Sequence, residues 1–263
     1  MFNIKPLTGK ALAAVLVAAF FFGWFSYAYY LYTNQILLVK IEGPIYDFQE
    51  VSLAFYKGKS DRNAKAIVLY LNTPGGAAYS CMEIAKYVNE TRDVKPVIAT
   101  MGAECASGGY YIASFADQIF THENTLTGGV GVIAVWVDMS EFYRDQGIVI
   151  HVWKTGTEKD LGAEWRPPTE EENASIQEEV DKIFDEVLYT IQKNRELSDE
   201  VMNIIAGGGT FSGSTAVEEL GLADEIGNIV DAEEGAAETA GLWKSIVVTP
   251  DMDCWERFLK ALF

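Results

Sequence analysis

The feature that most constrains this chain is the run from residue 11 to 32, which carries no charged side chain and is dominated by Ala, Val, Leu and Phe. It is about 22 residues long, and a helix needs roughly 20 to cross the hydrocarbon core of a bilayer. Lys5 and Lys10 precede it, and Tyr27, Tyr29, Tyr30 and Tyr32 crowd its far end, where an aromatic belt would lie. A cleaved signal would have a shorter apolar core and a small-x-small site. Only Ser26-Tyr27-Ala28 comes close, and bulky tyrosines follow it. The pattern predicts a single-pass anchor over 11–32 in the cell membrane. By the positive-inside rule, residues 1–10 are expected in the cytoplasm and the remainder outside it.

The remainder reads as an alternation of strands and helices. Residues 36–41 form a short branched apolar run ended by Gly43-Pro44, and 66–71 (AIVLYL) is continuously apolar, as in a strand buried on both faces. Helical patterns over 49–58, 78–90 and 107–115 fall between these and a strand over 97–101. Further strands are expected over 118–120, 130–136 and 148–153. A long helix should begin after Pro167-Pro168, with Thr169 and Glu172 at capping-box spacing and Ile176, Val180, Ile183, Phe184, Val187, Leu188 and Ile191 on one face. Shorter helices near 199–206 and 214–220 each end at glycine. The alternation predicts an α/β fold with a largely parallel sheet, and one peptide-chain domain over 33–250.

Charge and cysteine usage narrow the function. A formal net charge of −18 removes the basic face that a nucleic-acid partner needs. Cys81, Cys105 and Cys254 make neither a disulfide framework nor a metal-type spacing, and His122 and His151 are the only histidines, so no metal or cofactor is expected.

Two loops can carry chemistry. Asn72-Thr73-Pro74-Gly75-Gly76 follows the AIVLYL strand; paired glycines admit close backbone approach, and their N–H groups suit a developing negative charge, although a plain strand-to-helix turn has the same composition. Ala106-Ser107-Gly108-Gly109 follows the next strand. A serine opening a helix is ordinarily its cap. Here it repeats the position of Gly75-Gly76 one unit earlier, which makes Ser107 a candidate nucleophile beside the Gly108 N–H. Such a serine needs a base. His122, His151, Lys154 and Lys159 are all candidates by residue type, and spacing does not choose between them.

In the order Asn72-Thr73-Pro74-Gly75-Gly76, Ala106-Ser107-Gly108-Gly109-Tyr110-Tyr111-Ile112-Ala113, Leu126-Thr127-Gly128-Gly129-Val130-Gly131-Val132, Lys154-Thr155-Gly156 with Lys159-Asp160, and Gly221-Leu222-Ala223-Asp224-Glu225-Ile226-Gly227, the chain resembles the signal peptide peptidase SppA family of Ser-Lys serine peptidases, short form. The resemblance runs from about residue 36 to 229. It implies a ClpP/crotonase-like fold of stacked ββα units, with protomers assembled into a ring or dome. It implies Ser107 as nucleophile, Lys159 as general base and the N–H groups of Gly76 and Gly108 as oxyanion hole. The implied substrates are remnant signal peptides or other small membrane peptides. Many relatives have Ser where this chain has Gly129, so Thr127, a carbonyl or a water would have to help hold the lysine. Lys159 also stands between Glu158 and Asp160, so as a base it is expected to turn away from them into a drier pocket. The same fold would also suit a quality-control peptidase for membrane proteins, a catalytically impaired scaffold or a crotonase-like acyl-CoA enzyme; an exported body has no supply of CoA.

The tail, 251–263, lies outside these motifs. Trp255, Phe258, Leu259, Leu262 and Phe263 recur at i, i+3, i+4, i+7 and i+8, one face of a helix. Packing on the body or a neighbouring protomer, lying in the membrane surface, and entering the peptidase groove all fit that face.

Overall fold

The computed structural model describes residues 9–263. Of the segment 1–10, residues 1–8, with Lys5, lie outside the described residues. The elements in chain order are α1 (Gly9–Thr33), β1 (Gln35–Glu42), α2 (Gln49–Ser60), β2 (Ala64–Thr73), α3 (Ala78–Arg92), β3 (Val97–Ala106), α4 (Gly108–Ala113), β4 (Gln118–Thr121) and β5 (Leu126–Gly128). There follow α5 (Ser140–Asp145), α6 (Glu170–Arg195), α7 (Asp199–Ile205), β6 (Thr210–Ser212), α8 (Gly213–Glu218), β7 (Glu225–Ile226), α9 (Ile229–Thr239), β8 (Ile246–Val248) and α10 (Cys254–Leu262). They form two compact units, Met1–Gly129 with Gly209–Phe263, and Val130–Gly208.

The first unit holds the sheet, in the order β6-β5-β3-β2-β1-β8, with β4 on β3 and β7 on β4. Every pairing is parallel except β5 with β6. This is the expected mixed α/β architecture with a largely parallel sheet. Period-2 alternation sorts its faces. Ile36, Leu38, Ala66, Val68 and Ile98 form one core with Phe120 and with Ala232 and Ala236 of α9. The intervening Leu37 and Ile67 meet α2 instead, where a Cβ on Gly58 would lie 2.6 Å from Leu37 Cδ2. Both faces of β1 and β2 are therefore covered, which explains their unbroken apolar sequence. Strand β3 divides its edge: Ile98–Thr100 pair with β4, and Glu104–Ala106 pair with β5.

Helix α1 is long and apolar enough to cross a membrane. Only Asn34 separates it from β1. The joint is tied by Asn34 Nδ2 donating to Tyr30 O and Gln35 Nε2 donating to Tyr32 O, both at 2.8 Å. Nearby, Lys95 Nζ donates to the carbonyls of Gly58, Asp61 and Ala64 at 2.7, 2.9 and 2.7 Å, closing the end of α2 onto the start of β2.

The second unit contains α5, α6 and α7. The capping box expected at Thr169 is present: its side chain accepts from Glu172 N, and the Glu172 carboxylate accepts from Thr169 N. The strands expected over 130–136 and 148–153 are not formed. Among the described residues these runs find no partner edge, and a strand without a ladder leaves its backbone groups unpaired. Their side chains are largely exposed, among them Ile133, Val135, Val149 and Trp153.

Candidate active site

In the first unit, β2 and β3 end side by side and hand over to two loops that touch. Thr73 pairs with Cys105 across the strand ends. A Cβ on Gly75 would lie 2.7 Å from Gly108 N and 2.9 Å from Ser107 Cβ, and Gly75 has φ +92°, so a side chain is excluded there on both counts. The Asn72–Gly76 loop thus lies directly against the opening of α4.

Ser107 occupies the N-cap of α4 but does not cap it. Ser198 and Ser212 use their side chains to accept a helix N–H, whereas Ser107 makes no such bond. Its hydroxyl has no hydrogen-bond partner among the described residues. Its backbone stands at φ 53°, ψ −124°, away from the left-handed helical basin that Glu196 adopts at φ 52°, ψ 39°. Such a conformation costs about 1–3 kcal/mol and persists only when its surroundings over-determine it. Here Ser107 N donates to Gly128 O at 2.8 Å, and Ser107 O accepts from Tyr111 N at 3.0 Å.

Among the described residues, two N–H groups near Ser107 find no acceptor. At the bridge between Ile45 and Gly76, Ile45 makes both bonds, donating to Gly75 O and accepting from Ala77 N, so the N–H of Gly76 is left over. The N–H of Gly108 belongs to the first turn of α4, where no intrahelical acceptor exists. The two lie close, since a Cβ on Gly108 would stand 3.6 Å from Gly76 N. The same Cβ would strike Cys81 Sγ at 2.3 Å, which fixes glycine at 108. Burial pushes the Cys81 thiol up to about 11 and raises that of Cys105 further, so neither supplies a thiolate near neutrality.

Thr127 is buried and donates its hydroxyl proton to Cys105 O at 2.7 Å. Gly129 has φ +58°, and a Cβ there would lie 3.2 Å from Thr210 Cγ2 and 3.7 Å from Ser107 N. His122 accepts from Asn124 N through Nδ1 at 3.2 Å.

In the second unit the two lysines differ. Lys154 Nζ donates to Thr157 O at 2.7 Å and to Asp160 Oδ1 at 2.5 Å. Arg166 donates to both oxygens of Asp160 and both of Glu172, and its guanidinium lies 5.2 Å from the Trp136 ring centroid. The hydrogen bond from Arg166, then that from Lys154, holds Asp160 well below the usual carboxylate range; Arg166 and the Thr169 N–H hold Glu172 down at about 2. This network fixes the turn bearing Lys159. Lys159 is exposed and has no hydrogen bond or ion pair among the described residues. The neighbouring Asp160 carboxylate is spent on Lys154 and Arg166, so Lys154 is committed and Lys159 is not.

The model of the peptidase family S49 matches residues 89–243, more than half of the chain. The chain belongs to peptidase family S49. It is 32% identical over 204 residues to a protein of Enterococcus faecium named as a signal peptide peptidase SppA, covering 77% of this chain and 59% of that one. It is 30% identical over 220 residues to Protease 4 of Haemophilus influenzae, covering 80% of this chain and 35% of that one. It thus spans little more than half of the first relative and about a third of the second. In fold it is similar to the 1510-N membrane-bound stomatin-specific protease, solved as a serine-to-alanine mutant, with a TM-score of 0.55 at 17% identity over 82% of this chain and 97% of that one.

The S49 match takes in Ser107, Gly108 and Lys159, while the Gly75-Gly76 loop precedes it. Ser107, Gly76 and Gly108 come together in the first unit, and Lys159 belongs to the second. Nothing in the sequence marks Arg166 as the organiser of the Lys159 turn. Its partners stand six residues away on either side, a spacing that matches no helical or strand period.

Proposed function

We propose that this S49 chain is a membrane-anchored serine endopeptidase, with Ser107 as nucleophile, Lys159 as general base and the Gly76 and Gly108 N–H groups as oxyanion hole. The observation that carries the proposal is Ser107 itself. It is a helix-opening serine that caps nothing, is held in a strained conformation, and stands beside two unspent backbone donors. In the reaction, neutral Lys159 Nζ takes the hydroxyl proton as Ser107 Oγ bonds to the scissile carbonyl carbon. The carbonyl oxygen takes up negative charge opposite the two N–H groups. Collapse breaks the C–N bond, the protonated amine returns its proton to the leaving nitrogen, and water then hydrolyses the acyl-serine ester by the same route. The choice of Lys159 over Lys154 is supported by the ion pair that engages Lys154 with Asp160.

The substrates proposed are remnant signal peptides or other small membrane peptides. This is supported by the family, by the naming of the Enterococcus faecium relative and by an apolar helix long enough to seat the chain in the same bilayer. We place the N-terminus in the cytoplasm and the body outside it, on the strength of Lys5 and Lys10. Assembly with further copies of the chain is supported by the exposed apolar runs of the second unit, since contiguous apolar surface of that kind marks an interface.

A fluorophosphonate serine probe applied to the detergent-solubilised full chain tests the proposal. It should label the wild type and fail on Ser107→Ala. Labelling that survives in Ser107→Ala, or an unlabelled wild type, would overturn it.

A further inference from the structure

Helix α10 lies antiparallel against the last turns of α1. At its start, Cys254 Sγ and Tyr32 Oη are hydrogen-bonded at 3.1 Å, and Phe258 meets Tyr32 edge-on with ring centroids 6.0 Å apart. At its end, Leu262 O accepts from Trp24 Nε1 at 3.2 Å, and the Phe263 ring stands 6.5 Å from that of Trp24. From Tyr32 back to Trp24 is the same number of residues as from Cys254 on to Leu262, about 12 Å of helix in each case. Helix α10 therefore runs back along α1 rather than out over the body. Trp243 closes the other side, stacked on Tyr30 at 5.0 Å and tilted against Tyr27 at 5.7 Å.

Successive α10 side chains point about 100° apart, which divides the helix into three sectors. Ala261 is buried and Phe258 and Leu262 are half-buried in the sector that faces α1. Glu256, Arg257 and Lys260 make a polar sector. There Arg257 is tied to the body through Asp61 Oδ2 at 2.6 Å and Gln35 Oε1 at 3.3 Å. Between these two lies an apolar sector that packing on α1 leaves open: Trp255 is 72% exposed and Leu259 50%. On α1, Phe21 and Phe25 flank Trp24, which receives the end of α10, and both are exposed.

We propose that this third sector of α10 is a lipid-contact surface, seated at the headgroup–acyl boundary of the leaflet next to the body. The inference rests on the reading of α1 as a membrane span. The occupant is lipid because the sector borders the flank of a helix whose own exposed residues are apolar. The aromatic residues sit where an interfacial belt lies, and the charged sector faces away, with Lys260 able to reach headgroups. The Arg257–Asp61 pair makes the body and this lipid-facing helix one piece.

The test uses the full chain in nanodiscs of phosphatidylcholine and phosphatidylglycerol. With Cys254→Ser as background and Cys81 and Cys105 buried, a nitroxide is attached singly through Trp255→Cys, Leu259→Cys, Glu256→Cys or Val17→Cys. Collision with oxygen is then compared with collision with a water-soluble nickel chelate. The ratio of oxygen to nickel accessibility should be several-fold higher at 255, 259 and 17 than at 256. Values at 255 and 259 that match 256, with 17 still lipid-like, would overturn the inference while leaving the anchor intact. A water-exposed label at 17 would overturn the anchor reading and this inference with it. Spin–spin broadening at 255 that vanishes on dilution with unlabelled protein would show a second copy on the sector instead of lipid, and would also overturn it.

Discussion

The run 66–71 in the first unit and the runs 130–136 and 148–153 in the second are written in the same residues, yet only the first is a strand. In β2 the apolar run pairs with β1 on one side and β3 on the other, and Ile67, Val68 and Leu69 are fully buried. In the second unit, runs just as rich in branched residues join no ladder and stay largely exposed. Apolar content states what a segment must hide from water; it does not state which surface will hide it. The first unit supplies that surface from its own sheet and helices. The second leaves it exposed and carries its order instead in a charged knot at Arg166.

The largest effect expected from separating the units' roles is on catalysis. Ser107→Ala and Lys159→Ala should each lower peptide hydrolysis by about a thousandfold or more, with melting temperature unchanged, and Lys154→Ala should lower it less. Steady-state hydrolysis of a reporter peptide beside calorimetry checks this. Near-normal activity in Lys159→Ala would remove the second unit from the chemistry. Next in size is assembly. Val135→Asp combined with Val149→Asp should weaken self-association by about a hundredfold, because an unpaired charge would enter the interface. Mass photometry on the detergent-solubilised chain measures it, and a wild type that is monomeric throughout would break the comparison.

Stability of the first unit should depend on Lys95. Lys95→Met leaves three carbonyls without their donor and should cost about 1–3 kcal/mol in denaturant unfolding. A change inside measurement error would mean that water replaces the ammonium without loss. The smallest effect is acid lability of the second unit. Arg166 and the Thr169 N–H lower the folded-state Glu172 carboxyl to about 2 from its ordinary 4.5. A depressed carboxylate stabilises the fold above its unfolded value, and that contribution is lost as pH falls through the folded value. Protection over 154–172, taken relative to the intrinsic exchange rate at each pH, should therefore fall between about pH 4.5 and 2 in the wild type. In Arg166→Met that protection should already be low at neutral pH and change little over that window.

The parts of the fold visible in the sequence were those decided locally or by symmetric burial. The capping box at Thr169 needs only residues three apart, and β1, β2 and β3 announce themselves because both faces are covered. The motifs at 72–76 and 106–109 pointed to the two loops that meet. What stayed hidden was relational. That Ser107 does not cap α4 depends on its backbone angles, and that Cys81 lies under Gly108 depends on how α3 sits beside α4. The amphipathic period of α10 was plain in residues 255–263, but its partner, more than 220 residues earlier in the chain, was not.

One joint bears on how the protein would respond to its surroundings. With Asn34 alone between α1 and β1, and side-chain bonds locking that step, α1 and the sheet form a lever with no slack. A membrane-spanning helix adjusts to a thicker or thinner bilayer by changing its tilt. Here the same rotation would swing β1, and the β2 and β3 loop ends beside it, through the same angle. With α1 as the proposed anchor, bilayer thickness would then set the height and the aspect of Ser107 above the membrane.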